Sequence, residues 1–397
     1  MATDRRTIVS GPCGEVVLPM TGDRDLAMLI GNGLSIAFSN ELLLGSISQE
    51  MTTRFTAEYT GSDAVARAMQ KVAQHQPTGD PVTDFEVLIG AFGGQSDILE
   101  DLAVFADLTK NSDKEIANAI QKVRDFVSEV QRRGIGHTLQ IISERSYSDT
   151  ARRQPLRSFF ESVLSTFQDC VTVANLNYDT LVLSVLAETY WRDLTDMANG
   201  RYDAGTVKVG GIPYRSWPLR TAASEFMPFE QRRIRLLHLH GSLTYWRFGP
   251  DDYRKLPIEA VRSQIWEIFR NENTFTGRPL VVLANQHEKA DHVTKYPYDL
   301  AYRVAESGFK DANNWLIVGY SFRDICVNDM LSRCWEARAN PPQILVVTNS
   351  DRLEAETVED AFGWEHGSAA AHNLAIERTG AFGLAASSGW SDFTSGL

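Results

Sequence analysis

Four short segments set polar side chains directly behind apolar runs, where they are free to do chemistry. In Gly31-Asn32-Gly33-Leu34-Ser35 the glycines let the backbone turn tightly and approach a diphosphate, and the amides of a following helix offer an anion site. The same residues also suit a plain turn from strand to helix. A full dinucleotide fingerprint needs a third glycine where Ile36 stands, so a hydride-transfer site is not supported. Asn175-Leu176-Asn177-Tyr178-Asp179 offers amides and a carboxylate for sugar hydroxyls, or else the side-chain bonds of a cap or turn. In His238-Leu239-His240-Gly241-Ser242 the two imidazoles share a face, yet no third ligand stands at short spacing, so no metal is expected. His238 reads as a buried, hydrogen-bonded core residue and His240 as a general base, with Gly241 leaving space beside it. Gly319-Tyr320-Ser321 allows close backbone approach, with Tyr320 placed to lie against a ring or sugar. Asp324 reads equally as a helix cap or a site residue, and Thr348-Asn349-Ser350 is similarly placed.

These segments need a scaffold that brings their ends together. The apolar runs 26–30, 171–174, 280–284, 315–318 and 344–347 are continuous rather than alternating, which suits strands of a parallel sheet covered on both faces. A sixth, 234–240, is partly alternating. Between them the pattern turns helical: Leu181, Val185 and Leu186 share a face, as do Val327, Leu331 and Trp335. The expected fold class is α/β, a Rossmann-like doubly wound parallel sheet with a large α-helical insertion, whose ligands bind beyond the carboxyl ends of the strands.

The insertion is placed at 37–158. Thr83-Asp84-Phe85-Glu86 and Ser112-Asp113-Lys114-Glu115 fit the capping box, and the second opens a long helix expected to end near Gly134. Ile116, Ile120, Val123, Val127 and Val130 form a narrow apolar seam along it, read chiefly as intramolecular core. Residues 22–36 plus 159–366 make the discontinuous catalytic domain, and 367–397, rich in Gly, Ala and Ser, reads as a mobile tail or a terminal docking segment.

The 397 residues predict two or three structural units without staples. Against 39 Lys plus Arg stand 51 Asp plus Glu, a net charge of -12, which disfavours direct binding of nucleic acid or a membrane surface. Cys13, Cys170, Cys326 and Cys334 lack the spacing of a zinc knuckle or redox motif and read as reduced thiols. The charged start Met1-Ala2-Thr3-Asp4-Arg5-Arg6, with no apolar stretch behind it, predicts a cytoplasmic protein with no anchor.

Taken in order, Gly31 to Ser35, Asn177-Tyr178-Asp179-Thr180-Leu181, Leu239-His240-Gly241-Ser242, Gly319-Tyr320-Ser321 with Asp324, and Asn349 resemble the sirtuin-like fold, and most closely the sirtuin-like NAD hydrolases of bacterial anti-phage defence. The resemblance covers roughly residues 25–36 and 160–350. It implies that Gly31, Asn32, Gly33 and Ser35 hold the diphosphate of NAD, that Asn177 and Asp179 sit near the nicotinamide ribose, and that His240 is the base. Gly319, Ser321 and Asn349 would line the adenosine half, with Tyr320 among the residues that bind the cofactor. The family's usual loop has Ala in place of Asn32. The Pro-Asp-Phe-Arg stretch and the four-cysteine zinc ribbon of the deacylases are missing, which points away from deacylation and toward water as acceptor.

On that footing NAD is the substrate and no metal is required. Nicotinamide leaves as a neutral molecule, so the work lies in stabilising an oxocarbenium-like ribosyl centre and holding a water, with Asp179 near the developing charge. The resemblance also implies a homo-oligomer and a second component, a ring-shaped ATPase of the HerA type. Two other readings stay open: transfer of ADP-ribose to a protein or nucleotide, and a non-catalytic module that senses NAD or a nucleotide and recruits a partner.

Overall fold

The computed structural model describes residues 24–58, 67, 71, 102, 114–147, 153–198, 205–226, 232–272, 275–283 and 286–397. The N-terminal charged start, Cys13, the Thr83 capping box and the first two residues of the Ser112 capping box lie outside them.

Seven parallel strands form the central sheet, in the order β12-β11-β10-β1-β2-β6-β3. They are β1 Leu26–Ile30, β2 Val171–Asn175, β3 Leu194–Thr195, β6 Ile234–His238, β10 Asn314–Val318, β11 Gln343–Val347 and β12 Leu374–Glu377. The run of apolar residues in β1 follows from burial on both faces. Leu26, Met28 and Ile30 join one core cluster, and Ala27 and Leu29 join another on the opposite side. β10 and β11 divide in the same way: Leu316, Val318, Leu345 and Val347 go to the first cluster, and Trp315, Ile317, Ile344 and Val346 to the second. The expected doubly wound α/β arrangement is therefore present, and β1 is its switch point, with β2 on one side and β10 on the other.

Helices cover both faces. The first cluster takes α1 Asn32–Phe38, α2 Leu44–Glu58, α3 Lys114–Arg145, α4 Arg153–Thr166 and α5 Leu181–Thr189; the second takes α9 Tyr298–Asp311, α10 Ile325–Glu336 and α11 Ala355–Phe362. The short α6 Ile258–Val261 and α7 Ile265–Asn271 also join the first cluster, and α8 Gln286–Val293 packs against α9 and α10.

Helix α3 runs past Gly134 to Arg145, 32 residues in all, so its expected end is corrected. A mid-helix glycine costs about 1 kcal/mol, and here packing offsets it. A Cβ on Gly136 would come within 2.5 Å of the Arg270 side chain, and Leu139, Ile141 and Ile142 beyond it are buried. Along the apolar seam Val127 and Val130 are core, whereas Val123 is 49% exposed. The divisions drawn at 36/37 and 158/159 fall inside α1 and α4, because both helices pack on the sheet.

The expected direction of one strand is corrected. The run 280–284 belongs to no parallel strand: β9 Arg278–Val281 pairs antiparallel with β7 Gly241–Gly249 in a separate five-stranded sheet, order β4-β5-β8-β7-β9, with β4 Gly205–Val209, β5 Ile212–Pro218 and β8 Asp252–Lys255. An apolar run of that length does not distinguish the two directions of pairing. Of the two readings of residues 367–397, the terminal docking segment is the one the structure shows. β12 extends the sheet beside β11, and Ala381, Leu384, Trp390 and Phe393 enter the first core cluster, Trp390 lying 6.0 Å from the Phe167 ring. Cys334 is buried, and Cys170 and Cys326 are partly so. Among the described residues no helix is long and apolar enough to cross a membrane.

Candidate active site at the carboxyl edge of the sheet

The ladders of β11, β10, β1, β2 and β6 end together, on Val347, Val318, Ile30, Asn175 and His238 in register. The polar segments that follow therefore stand in one row. At about 4.8 Å per strand the row runs about 19 Å from the β6 end to the β11 end. Asn177 and His240 each lie two residues past the paired Asn175 and His238 on neighbouring strands.

At the centre of the row the glycines bring two loops into backbone contact. Gly33 N donates to Gly319 O at 2.8 Å, and a Cβ on Gly33 would lie 2.5 Å from Gly319 Cα. Gly319 itself sits at φ 63°. These glycines are required by loop-on-loop packing, whatever else the loop holds.

Ser35, Asn177 and Asp179 form one hydrogen-bonded group, all buried. The Asn177 amide donates to Gly31 O at 3.0 Å and to Ser35 Oγ at 2.9 Å, and Ser35 Oγ donates to Asp179 Oδ2 at 2.5 Å. Asp179 Oδ1 accepts from Leu181 N at 3.0 Å at the start of α5. Burial raises the Asp179 carboxyl above its ordinary range, against the pull of the Ser35 and Leu181 donors. Both carboxylate oxygens are engaged, and so are both amide hydrogens of Asn177. Its amide oxygen meets no donor among the described residues, and is the group left to accept from a ligand.

His240 belongs to a second group that gathers distant segments. Its Nε2 lies 3.4 Å from Asp324 Oδ2 and 3.4 Å from the Tyr302 hydroxyl on α9. Lys289, on α8, places Nζ 3.2 Å from the same Asp324 oxygen. All four residues are buried. Burial opposes ionisation of Asp324, but His240 and Lys289 beside it, with the Val327 amide, hold its carboxyl below the usual range. Asp324 caps α10, its Oδ1 accepting from Val327 N, while its Oδ2 faces His240.

Val282 ties the groups together, donating its N–H to His240 O at 2.9 Å and accepting at its carbonyl from the Tyr178 hydroxyl at 2.6 Å. His238 is the core histidine expected, 3.2 Å from Asn175 through Nδ1, with burial pushing its pKa down to about 4.

At the other end of the row Tyr320 is buried, its hydroxyl donating to Asn328 Oδ1 at 2.7 Å and its ring 4.8 Å from Phe322. Phe322 holds φ 58°, a left-handed conformation that costs a bulky residue about 1–2 kcal/mol. Its carbonyl accepts from Asn328 Nδ2, which helps keep it there. Ser321 and Asn349 are exposed at the edge, and Asn32 is partly exposed.

Lys289 and Tyr302 are the site residues that motif reading missed. Tyr302 lies within the core pattern of a helix and carries no local signal. Lys289 follows the run 280–284, so the rule that led to the other segments, looking just past an apolar run, leads there as well. Among the described residues no group of three His, Cys, Asp or Glu side chains is placed to hold a metal.

No curated protein matches the chain at a significant level. Residues 171–366 match the family model of the SIR2-like domain, a span that includes Asn177, Asp179, His240, Lys289, Tyr302 and Asp324 and leaves out the Gly31 to Ser35 loop that contacts them. Over residues 171–366 the chain is thus similar to SIR2-like domains, which bind NAD as their substrate.

Proposed function

We propose that this protein cleaves the nicotinamide–ribose bond of NAD with water as acceptor, giving nicotinamide and ADP-ribose, and that it is a gated NAD-depleting effector of bacterial anti-phage defence. The observation that carries the hydrolase reading is the pairing of His240 with the buried Asp324 carboxylate, one strand away from the free amide oxygen of Asn177.

In this reading Asp324 orients the His240 imidazole and favours its proton on Nε2, and the imidazole serves as the base toward water or a ribose hydroxyl. Asn177 accepts through its amide oxygen and fixes that hydroxyl or water against the ribosyl carbon. Asp179 acts through Ser35, as a positioning residue, because both its oxygens are engaged. This differs from a direct electrostatic role at the ribosyl centre. Gly319, Ser321 and Asn349, toward the β11 end of the row, take the adenosine half. The defence role, self-assembly and a HerA-type partner are supported only by the resemblance in motif order.

The test is incubation of purified protein with NAD, alone and with any encoded neighbour, measuring nicotinamide and ADP-ribose. Equal release of the two, lost in Asn177→Ala and His240→Ala, is expected. Label transferred from NAD to an acceptor would replace hydrolysis by ADP-ribosyl transfer. NAD bound but not consumed would make the site a sensor.

A further inference from the structure

The far end of the antiparallel sheet concentrates positive charge in a chain that is acidic overall. Arg247 near the end of β7 and Arg278 at the start of β9 are ladder partners, directly across from each other. Like charges in that position repel, and strands ordinarily avoid them or place an acid beside them. Although the chain has 51 Asp plus Glu, neither arginine forms an ion pair with a carboxylate among the described residues.

The pair opens onto a cavity of about 420 Å³ lined by Arg247, Phe248, Gly249, Pro250, Thr276 and Arg278. That volume lies within the range of small-ligand sites, about 300–1,000 Å³. Partial burial lowers the proton affinity of the Arg278 guanidinium, and the charges of Arg132 and Arg247 lower it further, so a third arginine belongs to the same field. The Arg278 guanidinium also lies 5.9 Å from the Phe269 ring, which helps hold it at the cavity wall. Two forked donors facing one cavity suit the oxygens of a phosphate group.

We propose that this cavity is a binding site for a phosphate-bearing small molecule, with Arg247 and Arg278 as its ligands. Along β9, Arg278 is three residues from Val281, the ladder partner of Gly241 next to His240, about 10 Å at roughly 3.3 Å per residue, and none of the lining residues belongs to the His240 or Asn177 groups. Phe248 in the lining offers an apolar surface for whatever carries the phosphate.

Titration calorimetry with inorganic tripolyphosphate tests the site without reference to NAD cleavage. Wild type is expected to bind it, and Arg247→Gln/Arg278→Gln to bind roughly tenfold or more weakly, as loss of charge-assisted hydrogen bonds requires. Arg303→Gln, a control on the exposed face of α9, should bind as wild type does, and thermal melting should show all the proteins folded. Arg247→Lys/Arg278→Lys, which keeps the charge, should retain part of the affinity if the double Gln variant fails to fold. A parallel arm with ATP separates the sources. Tighter binding than tripolyphosphate identifies a nucleotide, and equal binding identifies the phosphate chain alone. The proposal is overturned if wild type does not bind tripolyphosphate, if the double Gln variant binds it equally well, or if His240→Ala abolishes it, which would put the anion in the NAD site. Binding of a 20-base-pair duplex without binding of tripolyphosphate would overturn it in favour of nucleic acid.

Discussion

His240 Nε2 lies 3.4 Å from Asp324 Oδ2, and the same oxygen is 3.2 Å from Lys289 Nζ, so one buried carboxylate serves an imidazole and an ammonium together. Asn at position 324 keeps an N-capping side chain while removing the charge. Asp324→Asn is therefore expected to keep the cap of α10, to lower the melting temperature through loss of the carboxylate charge beside buried Lys289, and to lower NAD cleavage by roughly tenfold or more. Truncating the base itself, His240→Ala, should cost about 10²–10⁴ in rate. Nicotinamide release followed by chromatography checks both. A rate near wild type for Asp324→Asn would show that the carboxylate only caps α10.

Lys289 is buried by its contact with Asp324, and its loss should be felt in stability. Breaking one partner of a buried ion pair costs up to about 3–5 kcal/mol, and the remaining His240 keeps Lys289→Met toward the lower end. The double variant Lys289→Met/Asp324→Asn should recover part of that loss, since no uncompensated charge is left. Urea denaturation of the single and double variants gives the coupling. Strict additivity would mean that the pair contributes nothing.

His238 makes stability depend on pH. Burial holds it neutral in the folded protein, with its pKa pushed down to about 4 from 6.5, so the unfolded chain binds the extra proton first as pH falls. The contribution is fully present above about pH 6.5 and is lost as pH drops toward about 4, a total of roughly 3 kcal/mol at 1.36 kcal/mol per unit. His238→Gln should flatten this dependence between those two pH values. Urea midpoints measured across that range decide it, and parallel curves for the two proteins would assign the acid sensitivity elsewhere.

The close approach of Gly33 to Gly319 gives a steric prediction. Gly33→Ala would set a methyl 2.5 Å from backbone that cannot swing aside, and overpacking of this kind costs about 1–3 kcal/mol. Gly249→Ala, where the nearest atom would be 3.6 Å away, should be close to neutral. Melting temperatures of the two variants, compared with wild type, test whether the glycines serve the packing of the two loops.

Much of the site was legible because a parallel sheet places function at strand ends. An apolar run followed by Asn177, His240 or Gly319 already names both the strand and the loop that leaves it. Register then sets Asn177 beside His240, a relationship that spacing along the chain does not contain. Tyr302 was illegible for a different reason, and for Lys289 its place past the run 280–284 was the one signal. Their role comes from helices that pack against the edge, and a buried Lys on a polar helix looks like any solvated one until its Asp324 partner is seen. The direction of β9 was equally hidden, since a short apolar run such as 280–284 fits either kind of pairing.

The C-terminal segment shows composition giving way to packing, and it yields the last prediction. Small residues at 367–397 left a tail and a docking segment equally open, and Gly380 at φ 69° turns the chain from β12 into the helices that carry Trp390 and Phe393 over the sheet. Trp390 is 7% exposed and meets both Phe167 and Phe393 at 6.0 Å. A disposable tail would tolerate Trp390→Ala, whereas truncation of a core aromatic costs about 3–5 kcal/mol. The variant is expected to lose stability on that scale, and deletion from Gly380 onward to lose more, because it uncovers the face of the sheet on which α4 also packs. If urea unfolding of Trp390→Ala matches wild type, the segment is docked without contributing to the fold.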